Sequence, residues 1–78
     1  MTMRVAKIFA EVLGISAEQI TDETSPDNTP QWDSMAAMNL VVVIEDEFDV
    51  RFSTAEIVSM RNVGIVRKVL QAKGVADA

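Results

Sequence analysis

The chain has 78 residues, 49% of them hydrophobic, with a net charge of -5 and neither histidine nor cysteine. A chain of that length makes one small domain with a core barely sufficient to hold it, and without cysteine no disulfide reinforces it. Thiol and imidazole chemistry are excluded, a zinc site would have only carboxylates, and no apolar run approaches the ~18 residues needed to cross a bilayer.

Between residues 8 and 50 the chain carries ten of its twelve acids and no lysine or arginine. Such a field repels nucleic acid and anionic lipid and draws basic partners inward. The opening Met1-Thr2-Met3-Arg4-Val5 lacks the charge, apolar block and cleavage site of a secretory signal. The reading is a cytoplasmic, monomeric, all-α protein.

The first helix is expected from residue 2 or 3 to Leu13, because Val5, Ile8, Phe9, Val12 and Leu13 recur at the spacing of one buried face. Gly14 supplies the left-handed residue that ends such a helix, and Ile15 the apolar contact that follows. Ser16-Ala17-Glu18-Gln19 has capping-box spacing and predicts a short turn with Ile20 directed inward. From residue 21 to 31, two prolines and many small polar side chains predict a flexible loop that wraps over the bundle, anchored at its end by Trp32.

Asp33 is the expected N-cap of the second helix, with Ser34 in its first turn and Phe48 near its end. A second capping box, Ser53 to Glu56, opens a short third helix to about residue 59. Asn62 caps a fourth helix from residue 63 to about 73, closed by Gly74, with Val63, Val66, Val69 and Leu70 as its buried stripe. The tail from residue 75 to 78 is expected to fray. The sum is a small four-helix bundle, three main helices and one short one, with a long loop between the first two, in a single domain covering 1–78.

The second helix has two apolar faces. Ala37, Leu40, Val41, Ile44 and Phe48 make an ordinary core stripe, whereas Met35, Met38 and Val42 fall nearly opposite, beside Asn39 and Asp46. Either the long loop covers the second face or a partner does. Methionine is flexible and polarizable, which suits a surface that meets several partners. Asp33 at one end and Glu45, Asp46 and Glu47 at the other frame that stripe with charge, and acids at a helix C-terminus oppose its dipole.

Ser34 lacks the equipment of a catalytic nucleophile. Activation needs an adjacent base, normally histidine, and the context Trp32-Asp33-Ser34-Met35-Ala36 is not a nucleophile elbow. A Ser–Lys pair would have to recruit Lys7, Lys68 or Lys73, none at a recognisable spacing. As a modification acceptor it is well placed: free N–H groups and the dipole at a helix N-terminus favour a phosphodiester. Asp33 and the apolar stripe beside it give a modifying enzyme something to read. Calcium binding by the acids is disfavoured, because residues 22 to 33 lack the glycine and ligand spacing of an EF-hand loop.

The run Asp33-Ser34-Met35, the helix ending Ile44-Glu45-Asp46-Glu47-Phe48 and the following Val50-Arg51-Phe52-Ser53 resemble the acyl carrier protein family, over nearly the whole chain. The resemblance implies a four-helix bundle, no catalysis of its own, and 4′-phosphopantetheine transferred from coenzyme A to Ser34 by a phosphopantetheinyl transferase, with Asp33 as cap and recognition element. It further implies acyl cargo carried as thioesters and loading and processing enzymes with basic and apolar docking surfaces. Those partners would meet Met35, Met38, Val42, Glu45, Asp46 and Glu47, joined by Glu56 on the short third helix. An acyl chain would be sheltered around Leu40, Ile44, Phe52, Ile57 and Met60. Fatty-acid-synthesis carriers usually place acids early in the second helix and on the third; this chain has Ala36 and Asn39, then Thr54, Ala55 and Val58. The expectation is therefore a specialised pathway, such as polyketide or lipid-modifying chemistry, with an aminoacyl or peptidyl carrier and a never-modified interaction module as alternatives.

Overall fold

Four helices account for most of residues 4–75, the part of the chain that the computed structural model describes. They are α1 (Arg4–Leu13), α2 (Ser34–Phe48), α3 (Thr54–Ser59) and α4 (Val63–Ala72), with one three-ten turn at Ala17–Gln19. No strand occurs among the described residues. The expected helix start at residue 2 or 3 and the expected fraying of residues 76 to 78 lie outside them. Val75, expected in the same tail, is instead held: its N–H donates to the Leu70 carbonyl at 3.0 Å and its side chain packs against the core.

α1 buries Val5, Ile8, Phe9 and Leu13 as its spacing requires, together with Ala6. Gly14 takes a φ of 71°, and the Ile15 N–H reaches back to the Ala10 carbonyl at 3.1 Å, the six-to-one closure of a Schellman end. In the next turn the Ser16 hydroxyl accepts from the Glu18 N–H at 3.3 Å while Gln19 accepts from the Ser16 N–H at 3.2 Å. Ile20 is buried behind it.

The loop that follows is more tightly bonded than its composition suggests. Thr24 and Asn28 both fold back on it: the Thr21 N–H donates to Thr24 Oγ1 and the Ser25 N–H to Asn28 Oδ1, each at 2.9 Å. The loop is also tied to α4. The Val63 N–H donates to the Thr24 carbonyl and the Gly64 N–H to the Asp22 carbonyl, both at 3.0 Å. Asn62 Oδ1 accepts the Ile65 N–H at 2.8 Å, so the donors that open α4 are all used. Arg67 closes the junction with a 2.7 Å ion pair to Asp22. The loop therefore packs on the start of α4 and leaves Met35 and Met38 uncovered.

Trp32 ends the loop inside the core, its ring edge-on to Phe9 at 5.0 Å. Leu40 and Ile44 of α2 and Val63, Val66 and Leu70 of α4 complete the interior. The inward face of α2 is rotated slightly from the expected one. Ala36 is buried, whereas Ala37, Val41 and Phe48 are half-buried. α2 ends without a glycine: Asp49 adopts the left-handed conformation at φ 54°, and the Val50 N–H returns to the Glu45 carbonyl at 3.1 Å. Aspartate visits that region at a smaller cost than most side chains, because its short polar group bonds locally.

Candidate functional site

Ser34 is the first residue of α2 and is exposed, set there by the Asp33 cap. Asp33 Oδ1 accepts the Ala36 N–H at 2.9 Å, and the Asp33 carbonyl accepts from Ala37 at 2.9 Å. This spends the third and fourth donors of the helix and leaves those of Ser34 and Met35 pointing outward without a protein acceptor among the described residues. The Ser34 hydroxyl likewise makes no hydrogen bond among them. The residues present thus fit a phosphodiester. An oxygen open to an incoming enzyme lies beside two unspent N–H groups at the positive end of a 15-residue helix.

The apolar stripe beyond it is bare. Met35, Met38 and Val42 are 77%, 72% and 64% exposed. The acids expected to frame it are less free. Glu45 is half-buried and accepts the Phe52 N–H at 2.9 Å, which fastens the α2–α3 connection. Glu47 pairs with Arg4 at 3.0 Å, and the guanidinium lies over the Phe48 ring at 4.5 Å. Glu56 accepts the Ser53 N–H at 2.8 Å and pairs with Lys73 at 3.0 Å. The Ser53 N–H first, and then Lys73, hold the Glu56 carboxyl below its ordinary value of 4.5. Asp46 faces solvent in a shallow groove shared with Val42, Asp49 and Arg51.

The Ser53–Glu56 capping box was expected, but sequence reasoning missed Phe52, Arg4 and Lys73 as partners of Glu45, Glu47 and Glu56, because each lies far along the chain or across a turn. Ala36 also changes meaning. It is buried, so the absence of an acid there belongs to packing and says nothing of docking.

A small apolar cavity of about 50 Å³ lies between α2 and α3. Leu40, Ile44, Ile57 and Met60 line it as expected, and Phe9, Trp32, Ala37, Val41 and Val66 complete the wall. Phe52 does not line it; Lys73 lies over its ring at 5.8 Å. Among the described residues, no group of carboxylates is placed to hold a metal ion, and no helix is long and apolar enough to cross a membrane.

Comparison with known proteins agrees with this geometry. The family model described as "Phosphopantetheine attachment site" matches residues 4–70. An acyl carrier protein of Saccharopolyspora erythraea is 35% identical over 66 residues, which cover 85% of this chain and 70% of that one. The solution structure of a holo acyl carrier protein from Geobacter metallireducens superposes with a TM-score of 0.72 at 26% identity, over 95% of this chain and 91% of that one. A Mycobacterium tuberculosis structure assigned as an acyl carrier protein shares the fold with a TM-score of 0.78 at 22% identity, over 88% and 92% of the two chains. With the profile spanning most of the chain, and an exposed serine opening α2 inside the matched region, the chain belongs to the acyl carrier protein family, whose members bear 4′-phosphopantetheine.

Proposed function

We propose that Ser34 is the attachment point of 4′-phosphopantetheine, and that residues 1–78 form one cytoplasmic, monomeric carrier domain that performs no catalysis itself. The observation that carries this reading is the exposed Ser34 hydroxyl beside the unspent Ser34 and Met35 N–H groups. When bound, the arm supplies a terminal thiol on which acyl groups are held as thioesters, in a chain that has no cysteine of its own. Asp33 fixes the helix start and presents a carboxylate to the transferase. Met35, Met38 and Val42 offer an apolar surface to loading and processing enzymes, with Asp46 and the outer faces of Glu45, Glu47 and Glu56 drawing their basic residues.

The test is co-expression with a promiscuous phosphopantetheinyl transferase followed by intact mass measurement. The wild type is expected to gain one arm and Ser34→Ala none. An equal gain on both proteins moves the attachment elsewhere, and no gain on either favours an unmodified interaction module. Met38→Glu is expected to leave stability within about 0.5 kcal/mol, since the side chain is exposed. The same change should slow acyl transfer from partner enzymes, read as a drop in kcat/KM for the carrier.

The pathway we assign is a specialised one rather than housekeeping fatty acid synthesis. Support comes from Asn39 on the exposed side of α2, from α3 with Glu56 as its single acid, and from the bare Met35–Met38 surface. Equal turnover of its acyl-thioester and that of a housekeeping carrier by fatty-acid-synthesis enzymes overturns this assignment.

A further inference from the structure

We infer that Met35 and Met38 are a site of oxidation, and that their sulfoxides close the approach to Ser34. The closing step rests on Ser34 as the attachment point. Met35 follows Ser34 directly, and Met38 stands four residues after it, so Ser34 and Met38 share one face of α2. An enzyme that reaches the Ser34 hydroxyl therefore covers both side chains.

The sulfurs of the chain differ in access. Met35 and Met38 are 77% and 72% exposed and take no part in the core, whereas Met60 is half-buried and packed against it. The chain has no cysteine, so no thiol of its own competes for an oxidant. A hydroperoxide passes one oxygen atom to a thioether. The peroxide O–O bond breaks as the S–O bond forms, the sulfur gives up two electrons, and hydrogen peroxide leaves as water. The product is polar and holds water, which a docking enzyme must strip from it to cover it. The fold bears no comparable cost, because neither side chain is packed inside. Methionine sulfoxide reductases restore the thioether: two thiols join as a disulfide and the oxygen leaves as water.

The experiment takes the full chain before arm attachment, treats it with hydrogen peroxide, quenches with catalase and maps the oxygen by peptide mass. Met35 and Met38 are expected to be oxidised before Met60, with the thermal midpoint unchanged. Transfer of the arm from coenzyme A by the promiscuous transferase should slow about tenfold. Both stereospecific methionine sulfoxide reductases, supplied with dithiothreitol, should restore the rate. A double variant, Met35→Leu with Met38→Leu, conserves volume and should lose no rate on peroxide treatment. Oxidation of Met60 ahead of Met35 and Met38, an oxidised protein that loads at full rate, or a double variant slowed as much as wild type overturns the inference. Untreated wild type that gains no arm overturns the attachment reading instead, and the closure with it, while the order of oxidation is still read by peptide mass.

Discussion

At Asp33 one carboxylate both receives the Ala36 N–H at 2.9 Å and stands exposed beside the proposed attachment serine. The two roles separate by chemistry, because asparagine caps a helix about as well as aspartate but carries no charge. Asp33→Ala is expected to cost about 1 kcal/mol in urea unfolding. Asp33→Asn should retain nearly all of that stability while slowing transfer of the arm to Ser34, measured as the rate of mass gain. If Asp33→Asn is modified at the wild-type rate, the residue acts as a cap alone. The same arithmetic explains why Ser34 is not itself the cap: the position one earlier has already taken the available donor.

Among the elements, α3 depends most on side-chain fastenings, since none of its six residues is fully buried. Its capping box and its ion pair both pass through Glu56, whose carboxyl is held below 4.5 by the Ser53 N–H and then by Lys73. A carboxyl lowered on folding contributes stability above its unfolded value and loses it as the pH falls through the lowered one. The thermal midpoint of Glu56→Gln should therefore lie below wild type at neutral pH, and the gap should close as the pH falls below 4.5. A gap of constant size detaches Glu56 from that acid sensitivity. The caps of this helix and its neighbours were legible in the sequence because Ser16, Asp33, Ser53 and Asn62 each act on a backbone group within three residues. The turn at Asp49 was not, since nothing local marks an aspartate for the left-handed region. The partners of Glu45, Glu47 and Glu56 were hidden for a related reason: Phe52, Arg4 and Lys73 reach them only once the helices have packed. The exposed face of α2 was legible as a second apolar stripe, but periodicity alone left open whether the loop would cover it.

At the scale of the whole molecule, 28 × 27 × 19 Å, the loop from residue 21 is bonded to the start of α4 rather than draped over α2. Gly64 makes that approach possible. A Cβ there would stand 3.1 Å from Asp22 Cβ and 3.2 Å from its carbonyl oxygen, the same oxygen that accepts the Gly64 N–H. Gly64→Ala gains about 1 kcal/mol of helix propensity but incurs an overpacking cost of about 1–3 kcal/mol. A net loss of about 1 kcal/mol in urea unfolding is expected. Unchanged stability would mean that the loop gives way at that contact. The junction also sets an order of events during synthesis. The segment leading to Ser34 finds the hydrogen-bond donors for its Thr24 and Asp22 carbonyls at Val63 and Gly64, about forty positions later in translation. A nascent chain halted on the ribosome before α4 emerges lacks those anchors, so it should be a poor substrate for the transferase and the released protein a good one.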